Sequence, residues 1–187
     1  MPRKGYKEEG KEAVMILKKA ISADFDFIYL EMERNFVPEE LREYDFAREA
    51  MEYPAFTVYH IEENGDRVGF MTVWELEGFA YLEHFAVYDK YKNQGFGSRA
   101  LGLLKNRCER IVLEAEPPED ELKARRIAFY ERNGFYANDH FYLQPPYRRA
   151  DEERVRLVLM SCPAPLEDCG AAADTIYNGI LHKGKKG

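Results

Sequence analysis

The feature that most constrains the fold of this chain is a glycine-rich turn between a buried strand and an amphipathic helix. The apolar run Phe85-Ala86-Val87 predicts the strand, and Gly95-Phe96-Gly97 precedes apolar residues at helical spacing from Ala100 to Leu104. The first turn of a helix carries unpaired N–H groups, and its dipole favours an anion. Glycine has no Cβ and can take a positive φ, so a phosphate can approach that backbone closely. We therefore expect a phosphate-bearing cofactor at this turn.

Two classes of cofactor are compatible with the turn. The segment from Gly95 to Ala100 fits the dinucleotide fingerprint G-x-G-x-x-G/A, and Glu114 or Glu116 lies roughly 20 residues further on, as that fingerprint requires. In a dinucleotide-binding fold, however, the first glycine follows the strand directly. Here residues 88–94 intervene, and no series of further βαβ units follows. A nucleotide-binding oxidoreductase is therefore the weaker alternative.

Two motifs carry a resemblance to a known family. Lys92-Asn93-Gln94-Gly95-Phe96-Gly97 resembles the acetyl-CoA pyrophosphate loop of the GNAT acetyltransferase superfamily, whose pattern is Gln/Arg-x-x-Gly-x-Gly/Ala. Lys92 stands in the Gln/Arg position, where it keeps the positive charge but lacks the planar fork of arginine. The segment from Ala128 to Phe135 resembles the second conserved block of the same superfamily, with Tyr130 four residues before Gly134.

The resemblance extends from about Thr57 to Met160 and implies the fold. We expect an α/β (α+β) protein with a GNAT-like mixed, mostly antiparallel central sheet of about six to seven strands, flanked by helices on both faces. A single domain over residues 1–187 is consistent with a chain that is 45% apolar and long enough to bury a substantial core. Residues 165–187 are expected to form a tail or a short helix, because only Thr175–Leu181 is amphipathic there.

Local patterns predict the individual elements. Asn64-Gly65-Asp66 predicts a hairpin, and Gly134 is expected to end a helix over residues 119–130. The predicted strands cover residues 12–19, 55–61, 67–75, 81–87, 110–116, 138–143 and 154–160, the last two being joined by a loop that contains Pro145-Pro146. For residues 12–19 a short helix is the alternative.

By the resemblance, the backbone of Phe85 and Val87 hydrogen-bonds the pantetheine arm and the acyl carbonyl, and the loop from Lys92 to Ser98 holds the pyrophosphate. The cofactor is accordingly acetyl-CoA. The residues assigned to it are Phe85, Ala86, Val87, Lys92, Asn93, Gln94, Gly95, Phe96, Gly97, Ser98 and Arg126.

Acyl transfer from a thioester to an amine requires a neutral amine and a proton for the departing thiolate. Tyr130 is the implied general acid, by its position in the second block; core packing is its alternative role. For the general base, a partly desolvated carboxylate can accept a proton because burial raises its pKa. Glu114 is the first candidate for the base, Glu83 the second and Glu116 the third. The alternative for each is that it is a solvated or salt-bridged strand residue. Side-chain alternation places Tyr81, Glu83, Phe85 and Val87 on one face of their strand.

The segment from Asp24 to Tyr53 is acidic and aromatic, with ten acids against three arginines, and its apolar spacing predicts two helices broken at Pro38. It is either an ordinary amphipathic helix pair with solvated acidic faces or the mouth of a site for a cationic amine. In the GNAT family this part of the chain commonly shapes the acceptor site. The acceptor-binding candidates are Tyr29, Glu33, Phe36 and Tyr81.

Composition excludes several classes of function. The net charge of −7 disfavours nucleic acid, and no run approaches the ~20 apolar residues of a membrane span. Three cysteines without metal-ligand spacing suggest free thiols, a cytoplasmic location and no structural metal. We expect a monomer or homodimer that transfers an acetyl group from acetyl-CoA directly to a primary amine of a small molecule or peptide, in a ternary complex. A non-catalytic acyl-CoA-binding sensor or interaction module is the alternative.

Overall fold

The computed structural model describes residues 14–139, 142–144 and 155–181, and its main feature is a sheet of eight strands. The sheet has the spatial order β1-β2-β3-β4-β5-β8-β6, with β7 also paired to β8. In chain order the strands are β1 (Met15–Lys19), β2 (Phe56–Glu63), β3 (Asp66–Leu76), β4 (Phe79–Val87), β5 (Ile111–Ala115), β6 (Tyr136–Ala137), β7 (Tyr142–Gln144) and β8 (Val155–Cys162). Among these pairs, β4–β5 is parallel and the others are antiparallel.

Helices cover both faces of the sheet. They are α1 (Phe25–Asn35), α2 (Tyr44–Ala50), α3 (Phe96–Lys105), α4 (Glu121–Arg132) and α5 (Cys169–Ile176), the last continuing into a π-helical turn over Tyr177–Leu181. One core cluster joins the sheet to α3 and α4, and a second joins its other face to α1, α2 and α5. None of the helices among the described residues has both the length and the apolar composition to cross a membrane.

The predicted fold class is confirmed, with one more strand than the upper expected number. The single strand predicted over residues 138–143 is wrong, because the short strands β6 and β7 pair with different parts of β8. The C-terminal helix begins at Cys169 rather than Thr175, because the Asp168 side chain accepts a hydrogen bond from the backbone N–H of Ala171 and caps the helix there. Residues 12–13, the Pro145-Pro146 loop and residues 182–187 lie outside the described residues.

The turns confirm the glycine signals in the sequence. Asn64 and Gly65 both have positive φ, 53° and 92°, as a tight hairpin between β2 and β3 requires. Gly134 has φ 81° directly after the end of α4. Such a left-handed residue ends a helix without the steric cost of a Cβ. Both features bring later parts of the chain back onto the sheet.

A β-bulge in β4 changes which of its side chains share a face. The neighbours of Glu83 pair with the consecutive residues Thr72 and Val73, so Glu83 is an extra residue in the ladder. The predicted alternation is therefore wrong. Tyr81 packs in the core cluster on the α1 side, whereas Phe85 packs in the cluster on the α3–α4 side.

The parallel pair β4–β5 separates before either strand ends. Its ladder extends only from Ala80–Ile111 to Leu82–Leu113, although β4 continues to Val87 and β5 to Ala115. The edge of β4 that faces β5 therefore has no strand partner beyond Leu82 within the described part of the chain. The two strands form the sides of a wedge-shaped opening in the middle of the sheet.

Candidate active site

The opening between β4 and β5 is a cleft with a volume of about 250 Å³. Its walls come from both strands, from α4 and from the segment that follows α1. The lining residues are Asn35, Phe36, Glu40, Leu82, Glu83, His84, Phe85, Ala86, Val87, Lys92, Leu113, Glu114, Ala115, Glu116, Arg126, Tyr130, Gln144 and Leu157. The cleft thus brings residues from both sequence motifs together with the acidic segment.

Glu114 is a partly buried carboxyl group in this cleft. Its Oε2 accepts hydrogen bonds from the Tyr81 hydroxyl at 2.8 Å and from Nε2 of Gln144 at 2.5 Å. Its Oε1 is buried and makes no hydrogen bond of normal geometry to a described residue. Burial raises the pKa of Glu114 to about 7, although the hydroxyls of Tyr142 and Tyr81 lower it. A carboxyl group with this pKa exchanges a proton readily near neutral pH.

Tyr130 lies in the same cleft, on α4. Its ring packs against Phe129 and Phe135 at centroid distances of 5.3 and 5.7 Å, which fixes its orientation. Burial raises the pKa of the Tyr130 phenol to about 12, although the positive charge of Arg126 lowers it. The hydroxyl therefore keeps its proton throughout the physiological range. It is a proton or hydrogen-bond donor at the cleft.

The glycine turn has the geometry of an anion cradle. Gly95 is the N-cap of α3, with φ 80° and ψ −2°, and Asn93 also has a positive φ of 61°. The first backbone hydrogen bond of the helix runs from the N–H of Arg99 to the carbonyl of Gly95. The N–H groups of residues 96–98 precede it and are the free donors of the first turn. This backbone fits the pyrophosphate of a nucleotide cofactor.

Two residues, Lys92 and Gly97, connect the cradle to the cleft. Lys92, at the start of the turn, lines the cleft and forms an ion pair with Asp89 at 2.6 Å. A Cβ added at Gly97 would lie 3.1 Å from Cζ of Phe129, whose ring stacks on Phe85 at a centroid distance of 6.5 Å. Glycine at this position lets α3 approach the aromatic pair that joins α4 to β4.

Similarity to known proteins identifies the family. A model of the acetyltransferase (GNAT) family matches residues 24–135, which is more than half of the chain. The chain belongs to this family. A solved GNAT-family protein from Bacteroides thetaiotaomicron is 33% identical, with a TM-score of 0.75, and the match covers 90% of this chain and 94% of that one.

Two further proteins resemble this chain, one in sequence and one in fold. YjbC of Bacillus subtilis (strain 168) is 28% identical over 80 residues, which are 42% of this chain and 41% of YjbC. The match therefore spans less than half the length of that relative. Arabidopsis thaliana NAA60, solved in complex with acetyl-CoA, has a TM-score of 0.59 and 10% identity, with coverage of 79% of this chain and 97% of that one. At this identity the likeness is one of fold.

As a member of the GNAT family, the chain belongs to a family of acyltransferases that use acetyl-CoA. The cofactor residues assigned from the sequence form two groups in the structure. Phe85, Ala86, Val87, Lys92 and Arg126 line the cleft, whereas residues 93–98 form the partly exposed cradle beside it. The wedge at the end of the β4–β5 ladder connects the two groups.

The other two candidate bases already have cationic partners. The carboxylate of Glu83 is buried and bonds Arg42 at 2.6 Å and Nε1 of Trp74 at 2.9 Å. Glu116 pairs with Arg126 at 2.7 Å and with Lys123 at 3.4 Å. By contrast, Glu114 has no ion pair with a described residue. These contacts favour Glu114 as the group that is available for proton transfer.

The acceptor candidates are separated by the structure. Phe36 lines the cleft, and Tyr81 reaches it through its hydrogen bond to Glu114. Tyr29 is instead buried in the core, where its hydroxyl donates to the backbone carbonyl of Arg42 at 2.9 Å. Glu33 is exposed and does not line the cleft. The predicted break at Pro38 is present as a short 3₁₀ turn over Pro38–Glu40.

Eight lining residues of the cleft are not among the candidates from the sequence: Asn35, Glu40, Leu82, His84, Leu113, Ala115, Gln144 and Leu157. Glu40 is the most informative of them, because burial and the neighbouring charge of Glu116 raise its pKa. Its position after Pro38, in a segment already suspected of shaping the acceptor site, was the available signal. Gln144 had none, because its contact with Glu114 spans 30 residues of sequence.

Proposed function

We propose that this protein is an N-acetyltransferase that transfers an acetyl group from acetyl-CoA directly to a primary amine of a small molecule or peptide, in a ternary complex. The observation that carries the proposal is that one cleft contains both a candidate proton acceptor and a candidate proton donor. Glu114, with a pKa of about 7, and Tyr130, with a pKa of about 12, line the same opening beside a glycine cradle. Amine acylation requires a group that accepts a proton from the amine and a group that donates a proton or hydrogen bond to the departing thiolate.

Glu114 is the proposed general base. Amines are protonated near neutral pH and attack a carbonyl only after they lose a proton. Tyr81 and Gln144 hold Oε2 of Glu114 in place by hydrogen bonds, and the carboxylate is proposed to accept that proton directly or through a water molecule. A pKa of about 7 allows Glu114 to be ionised in about half of the molecules at pH 7.

Tyr130 is the proposed general acid. Acetyl-CoA, when bound, supplies a thioester whose C–S bond breaks as the C–N bond to the amine forms. The Tyr130 hydroxyl holds a proton at the cleft and donates it, or a hydrogen bond, towards the departing sulfur. Arg126 lines the same wall and lowers the pKa of Tyr130, which favours this donation.

The chain offers a binding surface for both substrates. The free backbone edge of Phe85–Val87 is proposed to hydrogen-bond the pantetheine arm, and residues 92–98 to bind the pyrophosphate. On the other side of the cleft, Phe36 and Glu40 are proposed to receive the acceptor. Carboxylates and aromatic rings at that end favour a cationic amine.

A panel of amines tests the proposal. Polyamines, amino acids, aminoglycosides and peptides with free N-termini are incubated with saturating acetyl-CoA, and release of free thiol is measured. We expect turnover with at least one class, and strongly reduced turnover in Glu114→Gln and Tyr130→Phe. Both variants are expected to bind CoA in calorimetry as tightly as the wild-type chain. Tyr130→Phe with wild-type turnover would remove Tyr130 from the mechanism.

A different result would favour the non-catalytic alternative. Tight binding of CoA without turnover of any amine would indicate an acyl-CoA-binding module. Thermal stabilisation by NAD(P) but not by CoA would instead indicate a nucleotide-binding oxidoreductase. The panel and the two binding measurements together distinguish the three functions.

A further inference from the structure

The segment between α1 and α2 is held on the sheet by a buried ion pair. Arg42 donates to Oε1 of Glu83 at 2.6 Å, with side chains that are only 11% and 1% exposed. Nε1 of Trp74 donates to the other carboxylate oxygen at 2.9 Å. The guanidinium group of Arg42 also lies over the Trp74 ring, 5.3 Å from its centroid. Both carboxylate oxygens of Glu83 are therefore bonded.

Two further hydrogen bonds hold the same segment. Nε2 of His84 lies 3.1 Å from the backbone carbonyl of Glu40, and the Tyr29 hydroxyl donates to the carbonyl of Arg42. The Thr72 hydroxyl accepts from the backbone N–H of His84, so its own proton can be donated to Nδ1 of that ring. This arrangement leaves the proton of neutral His84 on Nε2, where it bonds the segment.

The bulge in β4 makes these contacts possible. In a regular strand, consecutive side chains point to opposite faces. Because Glu83 is the extra residue of a bulge, Glu83 and His84 both reach the α1 side of the sheet, one contacting Arg42 and the other Glu40. The bulge therefore directs two adjacent side chains at the same segment. Leu41 lies between the two contact points and is buried.

A contribution to stability does not explain the ion pair well. Desolvation of two charges offsets most of their attraction, so apolar residues of similar volume stabilise a core at least as well. What an ion pair adds is a defined geometry, especially when Arg and carboxylate are both immobilised. The residues placed by this geometry are Phe36 and Glu40, which line the side of the cleft that we propose for the acceptor.

We infer that Glu83 is a positioning residue, which with Arg42 and His84 fixes the segment Phe36–Arg42 as the acceptor-binding wall of the cleft. The acceptor role of that wall rests on the proposed function. Glu83 then acts through Arg42 and takes no proton from the amine, whereas Glu114 does. Glu83 and Glu114, which are both candidate bases from the sequence, thus have different roles.

Kinetics of Glu83→Gln, compared with Glu114→Gln, test the assignment. The amide can still accept from Trp74 but cannot form the ion pair. In Glu83→Gln we expect the KM for the acceptor to be about tenfold higher or more, with an unchanged Kd for CoA. The increase of kcat with pH through about 7 should be retained in Glu83→Gln and lost in Glu114→Gln. Glu62→Gln, which removes an ion pair to Lys18 on β1 away from the cleft, is the matched control and should leave the acceptor KM unchanged.

Hydrogen exchange tests the positioning without any substrate. Peptides that cover residues 36–43 should exchange several-fold faster in Glu83→Gln than in wild type or in Glu62→Gln. If Glu83→Gln does not fold because Arg42 loses the carboxylate that it bonds, the double variant Arg42→Met, Glu83→Leu removes both charges. Its stability should be close to that of the wild type, because apolar residues replace the pair, and it should still show the raised acceptor KM.

Three results would overturn the inference. One is unchanged exchange together with unchanged acceptor KM. The second is loss of the pH-dependent rise in Glu83→Gln but not in Glu114→Gln, which would make Glu83 the base. The third is a double variant with the acceptor KM of the wild type. Absence of turnover by the wild-type chain would instead contradict the proposed function, and the exchange measurement would still decide whether Glu83 positions the segment.

Discussion

The Tyr81 hydroxyl donates a hydrogen bond to Oε2 of Glu114 at 2.8 Å, across the parallel pair of strands at the point where they separate. This contact connects the core on the α1 side of the sheet to the carboxyl group that we propose as the base. Although a hydrogen bond to the carboxylate favours its ionised form, burial dominates, and the pKa of Glu114 is raised to about 7. The position of Glu114 thus combines a fixed orientation with a pKa suited to neutral pH.

The first prediction concerns activity. Glu114→Gln should lower kcat by about 10²- to 10⁴-fold, the usual contribution of a general base. In the wild-type chain, kcat should increase with pH through about 7, because only the ionised carboxylate accepts a proton. Initial rates between pH 5.5 and 9 at saturating substrates provide the measurement. A variant that keeps the same increase would show that another group controls it.

The same residue has a predicted effect on stability. The folded-state pKa of about 7 lies above the ordinary value of 4.5, so the folded chain binds the proton more tightly than the unfolded chain. Stability therefore decreases as pH rises from about 4.5 to 7 and is constant above that range. Relative to wild type, Glu114→Gln should become more stable as pH rises, by up to about 3 kcal/mol between pH 4.5 and 8.

Urea unfolding of both proteins at pH 5 and pH 8 measures this difference. Glu77→Gln, a change at an exposed glutamate on the turn before β4, is the control and should follow the wild type at both pH values. An equal effect of Glu114→Gln at the two pH values would mean that the carboxyl group titrates normally in the folded protein.

The backbone of the proposed cofactor site was predictable because its requirements are local. A left-handed residue at a helix start or end favours glycine, and Gly95 and Gly134 carry this requirement in the sequence itself. The hairpin at Asn64 and Gly65 is predictable for the same reason. Each of these depends on a few neighbouring residues and not on the rest of the fold.

The proposed acceptor side was less predictable because its geometry depends on contacts that are distant in sequence. Period-two alternation does not indicate where an extra residue enters a strand. The bulge at Glu83 was therefore not predicted, and the predicted faces of the side chains beyond it were wrong. The pairing of Glu83 with Arg42 spans 41 residues and depends on how α1 lies on the sheet. The acidic composition of residues 24–53 predicted the sign of the charge there, but not that Glu40 would line the cleft and Glu33 would not.

Two glycines test the role of the cradle: Gly95, the N-cap of α3, and Gly102, within that helix. Gly95 has φ 80° with no atom within 4 Å of an added Cβ, so Gly95→Ala costs only backbone strain, roughly 1–2 kcal/mol. The turn can relieve the strain by leaving the conformation that presents its N–H groups. We therefore expect about tenfold weaker binding of CoA in calorimetry.

Gly102→Ala is the matched control for the cradle. Gly102 lies within α3, where an added Cβ also meets no atom within 4 Å, and its φ is not positive. Alanine stabilises a helix interior by roughly 0.5–1 kcal/mol relative to glycine, so this variant should melt at a higher temperature and bind CoA as the wild type does. Equal CoA affinity of the two variants would contradict a role for the Gly95 turn in binding the pyrophosphate.

The last prediction distinguishes two glutamates of the acidic segment. Glu40 lines the cleft and has a raised pKa because of burial and the charge of Glu116, whereas Glu33 is exposed outside it. A partly buried carboxylate attracts a cationic acceptor more strongly than an exposed one, because water screens it less. Glu40→Gln should therefore raise the KM for the acceptor by about tenfold, or about 1.4 kcal/mol, and Glu33→Gln should leave it unchanged.

The raised pKa of Glu40 adds a pH dependence, since its protonation at acidic pH removes the attraction and should bring the acceptor KM of the wild type towards that of Glu40→Gln. Equal effects of the two substitutions would show that the acidic segment acts only through its overall charge.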